Sequence, residues 1–125
     1  MNQSFFLKSS LVAIALTLSL ISCAKDEVIP VSELPAEMKA YISTHFPSNT
    51  ILQVVKDVDG LTKTYDVLLS ERISLEFNRQ KEIIDIDSEI ALPNSVIPEQ
   101  IRQYVTANYP SNVITDWELD DRNQQ

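Results

Sequence analysis

The spacing of apolar positions changes several times along this chain, and each change marks an element. Met38, Tyr41, Ile42 and Phe46 fall at i, i+3, i+4 and i+8, the stripe of one helical face. Pro35 suits the first turn of that helix, where a missing N–H costs nothing. Pro47 stops it, because the residue before a proline avoids the α region, and Pro47-Ser48-Asn49 reads as a turn. The period then drops to two. Thr50 to Val58 reads as a strand, Asp59-Gly60 as a hairpin turn, and Thr62 to Leu69 as the return strand, with Tyr65, Val67 and Leu69 on one face. After a turn near Ser70-Glu71, Ile73, Leu75 and Phe77 alternate with Ser74, Glu76 and Asn78. A further turn at Arg79-Gln80-Lys81 leads to Glu82–Asp87, where Ile84 and Ile86 alternate with Asp85 and Asp87. One helix and a four-stranded antiparallel meander result. The helix can cover the apolar face and leave the polar face to water.

The pattern starts again 63 residues later. Pro30, Ser32, Pro35, Tyr41, Pro47, Ser48, Asn49 and Ile51 align with Pro93, Ser95, Pro98, Tyr104, Pro110, Ser111, Asn112 and Ile114. These are eight identities in 22 positions, where average composition gives about one or two by chance. Ile101, Tyr104, Val105 and Tyr109 repeat the helical stripe, and Val113 to Asp120, with Trp117, repeats the first strand. The expected fold is therefore α+β, a tandem repeat of one helix plus a four-stranded antiparallel meander. The second copy is truncated after its helix and first strand; by the same offset its last strand would end at about residue 150. The expected segments are 1–22 as a lipoprotein signal peptide, 23–31 as an acylated flexible tether, 32–88 as the first repeat, and 89–125 as linker and partial second repeat.

The first 22 residues need a separate explanation. Lys8 is their one charge, and Ser9 to Ser22 is uncharged and rich in Leu, Ile, Val and Ala. Spanning a bilayer takes about 20 apolar residues, so this shorter run reads as a secretory signal. Leu20-Ile21-Ser22-Cys23 resembles the bacterial lipobox, and Cys23 is the chain's one cysteine. The resemblance implies acylation of Cys23 after cleavage before it, with two or three fatty chains holding the protein at the membrane. A single cysteine also excludes an intramolecular disulfide. Lys25, Asp26 and Glu27 resemble the charged export tag of surface lipoproteins in the Bacteroidetes. That implies an outer-membrane lipoprotein and favours the cell surface over the periplasmic face.

Removing residues 1–22 leaves 9 basic and 18 acidic side chains. A body this acidic is repelled by nucleic acid and by anionic headgroups, so nucleic acid is not an expected partner. Candidate chemistry is sparse. His45, the one histidine, reads as a polar or capping residue at a helix end. Asp57-x-Asp59-Gly60 has the opening of a calcium loop without its later acids or closing Glu, and is already explained as a turn. Asp85 and Asp87 read as a solvated sheet face. The recurrence of Tyr41 as Tyr104 reads as core packing. With no phosphate loop, metal cluster or nucleophile motif, no enzyme, cofactor or metal site is expected.

Leu34-Pro35 and Ile97-Pro98 at the helix starts, Phe46-Pro47 and Tyr109-Pro110 at the helix ends, and the runs beginning at Tyr65, Ser74 and Ile84 together resemble the β-lactamase-inhibitor-like, PepSY-like lipoproteins of Bacteroidetes, over roughly residues 30–120. The resemblance implies a helix-and-sheet binding module with no catalytic residues to transfer. The expected function is a non-catalytic cell-envelope lipoprotein. It is held at the membrane through acyl chains on Cys23, and it binds or inhibits a protein or peptide partner. The alternative is a structural or accessory subunit of a surface complex.

Overall fold

The computed structural model describes residues 25–120. In chain order it holds β1 (Lys25–Ile29), α1 (Ala36–His45), β2 (Ile51–Asp59), β3 (Thr62–Leu69), β4 (Ile73–Phe77), β5 (Ile83–Asp87), α2 (Glu99–Asn108) and β6 (Asp116–Glu118). All six strands form one antiparallel sheet in sequence order. The two helices connect antiparallel neighbours: α1 lies between β1 and β2, and α2 between β5 and β6. At the hairpin after β2, Gly60 takes φ +60°, a conformation open to a residue without Cβ.

Several expectations change. Within the expected tether, Lys25–Ile29 is a strand, pairing with β2 from Lys25↔Val58 to Ile29↔Val54. Ile29 is buried beside Val54, and without β1 the edge of β2 would be left unpaired. Beyond the four strands of the meander, the sheet takes β6 on one side and, unexpectedly, β1 on the other. Ile84 and Ile86 do not share the core face. Phe77 pairs with Ile83 and Glu76 with Asp85, so Ile84 is the extra residue of a bulge. Ile83 and Ile86 supply the apolar contacts instead. Lastly, the strand expected from Val113 to Asp120 shortens to Asp116–Glu118.

One core joins both halves of the chain. Leu34, Met38, Ile42 and Phe46, in and around α1, pack with Val54, Tyr65, Val67, Leu69, Ile73, Leu75, Phe77 and Ile86 of the sheet, and Leu92, Val96, Ile97 and Trp117 join the same cluster. The Tyr41 ring stands edge-on to Phe77 at 5.5 Å between centroids. Its buried hydroxyl has no hydrogen-bond partner, and burial pushes its pKa up to about 12.

The offset of 63 also relates backbone geometry. Pro35 and Pro98 precede their helices at φ −51° in both cases, and Phe46 and Tyr109 close them at −129°, 54° and −137°, 59°. The bonds Phe46 N–H to Ile42 O (2.8 Å) and Asn49 N–H to Phe46 O (3.1 Å) recur as Tyr109 to Val105 (2.7 Å) and Asn112 to Tyr109 (3.0 Å). Burial does not recur. Tyr104 is 61% and Tyr109 53% exposed, so Tyr104 does not pack in the core as expected.

Phe77 is fully buried, whereas Leu68 on the opposite face is 38% exposed. Phe77→Ala should cost about 3–5 kcal/mol, and Leu68→Ala about 1 kcal/mol or less. Denaturant titration of the two variants checks this. Comparable losses would mean that the faces are assigned wrongly.

Candidate functional site

The face of the sheet turned away from the core is where charge collects. In β3 and β4 the core takes Tyr65, Val67, Leu69, Ile73, Leu75 and Phe77, which leaves Asp66 and Glu76 on the other side. Those two residues pair directly; Glu76 pairs with Asp85, and Asp85 with Glu118. A line of carboxylates therefore crosses β3, β4, β5 and β6 in register. Asp87 and Asp116 pair one step along it, and Asp26 pairs with Asp57 at the β1–β2 end. The strand lysines Lys25, Lys56 and Lys63 alternate to the helix side, where Lys63 Nζ sits 5.2 Å from the centre of the Tyr65 ring. Like charges directly opposite on a sheet are destabilising, so the arrangement favours any cation that can lie across it.

Burial, and after it that repulsion, raises the pKa of three of these groups. Asp85 is pushed above the ordinary aspartate value, first by desolvation and then by the charges of Glu118, Asp87, Asp116 and Asp66. Asp66 is raised by desolvation, then by Asp57 and Asp26. Asp57 is raised by desolvation, then by a hydrogen bond and charge from Asp26 and the charge of Asp59. Glu37, on the helix side, moves the opposite way, because Lys81 Nζ donates to its Oε1 at 2.8 Å.

The residues singled out in the sequence do not converge on this face as a group. Cys23 lies outside the described residues. Lys25, Asp26 and Glu27 sit in β1, with Lys25 and Glu27 3.9 Å apart as an exposed ion pair and Asp26 at the corner of the acidic face. His45 Nδ1 lies 2.9 Å from Ser95 Oγ, and its ring stacks at 4.5 Å on Tyr41. This serine–histidine contact links the end of α1 to the turn Asn94–Val96. The other neighbour of the imidazole is thus a phenol ring, not the orienting carboxylate of a triad. Asp57 and Asp59 belong to β2, and Asp85 and Asp87 are two members of the larger face. Among the described residues no group of three or more His, Cys, Asp or Glu has the geometry to hold a metal ion. Sequence reasoning missed the row as a whole. Its signal is an acid at outward positions of each of the last four strands, and only the register aligns them.

A second feature recurs at the 63-residue offset. Beside α1, Lys39, Ser43, Phe46 and Asn49 line a groove. Beside α2, the corresponding Arg102, Thr106, Tyr109 and Asn112 line another. Lys39 Nζ donates to Ser32 O at 2.9 Å, whereas the buried Nε of Arg102 has no hydrogen-bond partner.

The model of the family described as "Putative beta-lactamase-inhibitor-like, PepSY-like" matches twice, over residues 19–85 and 63–124. No curated protein matches. A crystal structure from Bacteroides vulgatus ATCC 8482, described as a "putative periplasmic protein from DUF2874 family", is 32% identical with a TM-score of 0.70, covering 77% of this chain and 76% of that one. A "putative calcium-regulated periplasmic protein" from Bacteroides thetaiotaomicron is 28% identical at TM-score 0.70, with the same coverage. Another Bacteroides vulgatus ATCC 8482 structure, a "putative periplasmic protein of unknown function", is 31% identical at 0.70, covering 77% and 79%.

The raised carboxyls make a signed prediction. A group whose folded pKa is raised binds its proton more tightly when folded, so it adds stability as pH falls toward the ordinary aspartate value of 3.8 and loses it as pH rises. Glu37, with its pKa lowered from 4.5, contributes the reverse. Because Asp85 and Asp66 outnumber it and are partly buried, the thermal midpoint should rise as pH falls through their raised folded values toward 3.8. Asp85→Asn should raise the midpoint at pH 7 and flatten that rise. Thermal melts of both proteins across the range check it; a midpoint that only falls on acidification would contradict the repulsion.

Proposed function

The chain belongs to the β-lactamase-inhibitor-like, PepSY-like family, and from that premise we propose that it is a non-catalytic lipoprotein of the outer membrane that binds a basic protein or peptide on the open face of its sheet. The observation that carries this reading is the in-register line Asp66, Glu76, Asp85 and Glu118. Such a surface gives electrostatic steering and selects a partner by charge, and none of its members stands beside an activated nucleophile. Residues 89–120 are read as a partial second copy of the 63-residue repeat. The anchor is Cys23, acylated at the lipobox.

With that anchor, β1 begins two residues after the acylated cysteine, so the start of β1 is held near the bilayer. Lys25, Asp26 and Glu27 would be read by the export machinery before β1 pairs, directing the protein to the cell surface. The structurally similar proteins are themselves described as periplasmic. A relative is described as a "putative calcium-regulated periplasmic protein"; among the described residues no three acids are placed to hold such an ion, so calcium would act on this face as a screening cation, as salt does.

Two measurements test the proposal. Growth with a fatty-acid analogue should label the wild-type protein and leave Cys23→Ala unlabelled; an unlabelled wild type sinks the lipoprotein reading. In capture from envelope extracts, the wild type should retain basic proteins that salt or calcium releases, and Asp66→Asn with Asp85→Asn should retain markedly fewer. Equal retention by both would remove the acidic face as the binding surface.

A further inference from the structure

The tip of the β2–β3 hairpin carries an apolar side chain where the turn itself has no use for one. Gly60 supplies the left-handed conformation at φ +60°, and Leu61 beside it is 90% exposed, the most exposed large hydrophobic among the described residues. A lone surface leucine needs no explanation in general, but the surroundings of this one are unusual. The tip lies at the end of the sheet where β1 begins, because Lys25 pairs with Val58, two residues before Gly60. The chain from Cys23 to Lys25 spans at most about 7 Å, and Gly60 lies about 8 Å from Lys25, counting two strand rises and one strand spacing. The hairpin tip is therefore within about 16 Å of Cys23, whatever path those two residues take.

The charges around the tip are sorted by face. On the helix side Lys25 and Lys63 flank Val58 in one row, each paired with it in register. Arg79 Nη1, from the β4–β5 turn, donates to Leu61 O at 3.4 Å. Asp26, Asp57 and Asp59 stand at the same end on the opposite face, where Asp57 feels the charge of both the others. An apolar tip collared by cations on one side, with acids confined to the other, fits a surface that is apolar within and anionic at its rim. A bilayer interface has that profile, acyl chains beneath phosphates.

We propose that the β2–β3 hairpin is a second membrane contact, with Leu61 entering the bilayer interface beside the anchor and Lys25, Lys63 and Arg79 lying at the lipid phosphates. The inference rests on the Cys23 anchor proposed above. One leucine would not hold a free protein on a membrane, and the net negative charge of this chain opposes it. A tether of two residues makes the contact intramolecular, with an effective concentration on the order of millimolar, so one side chain and three cations suffice. The consequence for function is orientation. Phosphates attract the lysine side and repel Asp26, Asp57 and Asp59. The domain then leans toward its lysines, and the face carrying Asp66, Glu76, Asp85 and Glu118 opens to water, where a basic partner can reach it.

The anchor can be set by hand, which separates this contact from acylation in the cell. The chain from Cys23 onward is coupled through its one thiol to a maleimide lipid in vesicles of phosphatidylcholine and phosphatidylglycerol. Leu61→Trp places a reporter at the tip. Ser48→Trp places one at the far end of the sheet, in the turn that Asn49 ties to Ser70, about 26 Å away along the eight residues of β3. Buried Trp117 gives the same background in both. Brominated lipid should quench the Leu61→Trp emission, whose maximum should also move to the blue, whereas Ser48→Trp should match the wild type. Adding Lys63→Glu and Arg79→Glu to Leu61→Trp should cut the quenching several-fold. Equal quenching at positions 61 and 48, no quenching at either, or quenching untouched by the two charge reversals would overturn the inference. So would a blue shift of Leu61→Trp that appears without vesicles and grows with protein concentration, because a second copy would then cover the leucine. Docking of the coupled chain, together with a wild type that cells leave without fatty-acid label, would retire the anchor reading alone; labelling in cells without docking of the coupled chain would retire this one alone.

Discussion

The side chains of β3 and β4 that face the helix, Tyr65, Val67, Leu69, Ile73, Leu75 and Phe77, have to leave water together, and α1 is the element that covers them. Each fully buried side chain of this kind contributes about 1.5–3 kcal/mol, so packing of α1 on the sheet is a major source of stability. The rest of the design follows from it. A two-residue period that sends Tyr65, Val67, Leu69, Ile73, Leu75 and Phe77 to one face sends the intervening residues to the other, and in the last four strands those include Asp66, Glu76, Asp85 and Glu118. The acidic face is thus the reverse side of the core and is held rigid by it. Its repulsion is tolerated because the opposite face is packed.

Much of this was legible in the sequence. Helix boundaries were bracketed by prolines at both ends, and apolar residues alternate in β3 and again in β4 on either side of the Ser70–Arg72 turn. What failed did so for identifiable reasons. The bulge at Ile84 breaks a two-residue alternation without leaving a Gly or Pro to signal it. Lys25–Ile29 looked like a charged tether because three of its five residues are charged; an edge strand tolerates such residues, and only Ile29 needs burial. The acidic row was invisible because each strand contributes one or two members, and their alignment depends on a register that local sequence does not state. His45 read correctly as a polar residue at a helix end, but its partner Ser95 lies 50 residues away and had no local signature.

The repeat has two different consequences in the two halves. Local backbone geometry recurs closely, because prolines, turn residues and helix stripe recur. Burial differs because it depends on neighbours, and α2 is followed by a short strand at the end of the sheet order whereas α1 is followed by a long strand paired on both sides. A short, acid-flanked strand beside an exposed aromatic stripe is the feature that separates the second half from the first.

Residues 89–120 belong to the same sheet and core as the first half, and amide hydrogen exchange on dilute, monomeric protein can test this. Leu92 N–H donates to Ile114 O and Leu119 N–H to Ile84 O, both at 2.8 Å, so these amides report the closure of the second half onto the first. Both should be protected and should open with the β4–β5 strands as one cooperative unit. Exchange at the rate of an open chain, or protection that appears only as concentration rises, would mean that the second half does not close onto the first.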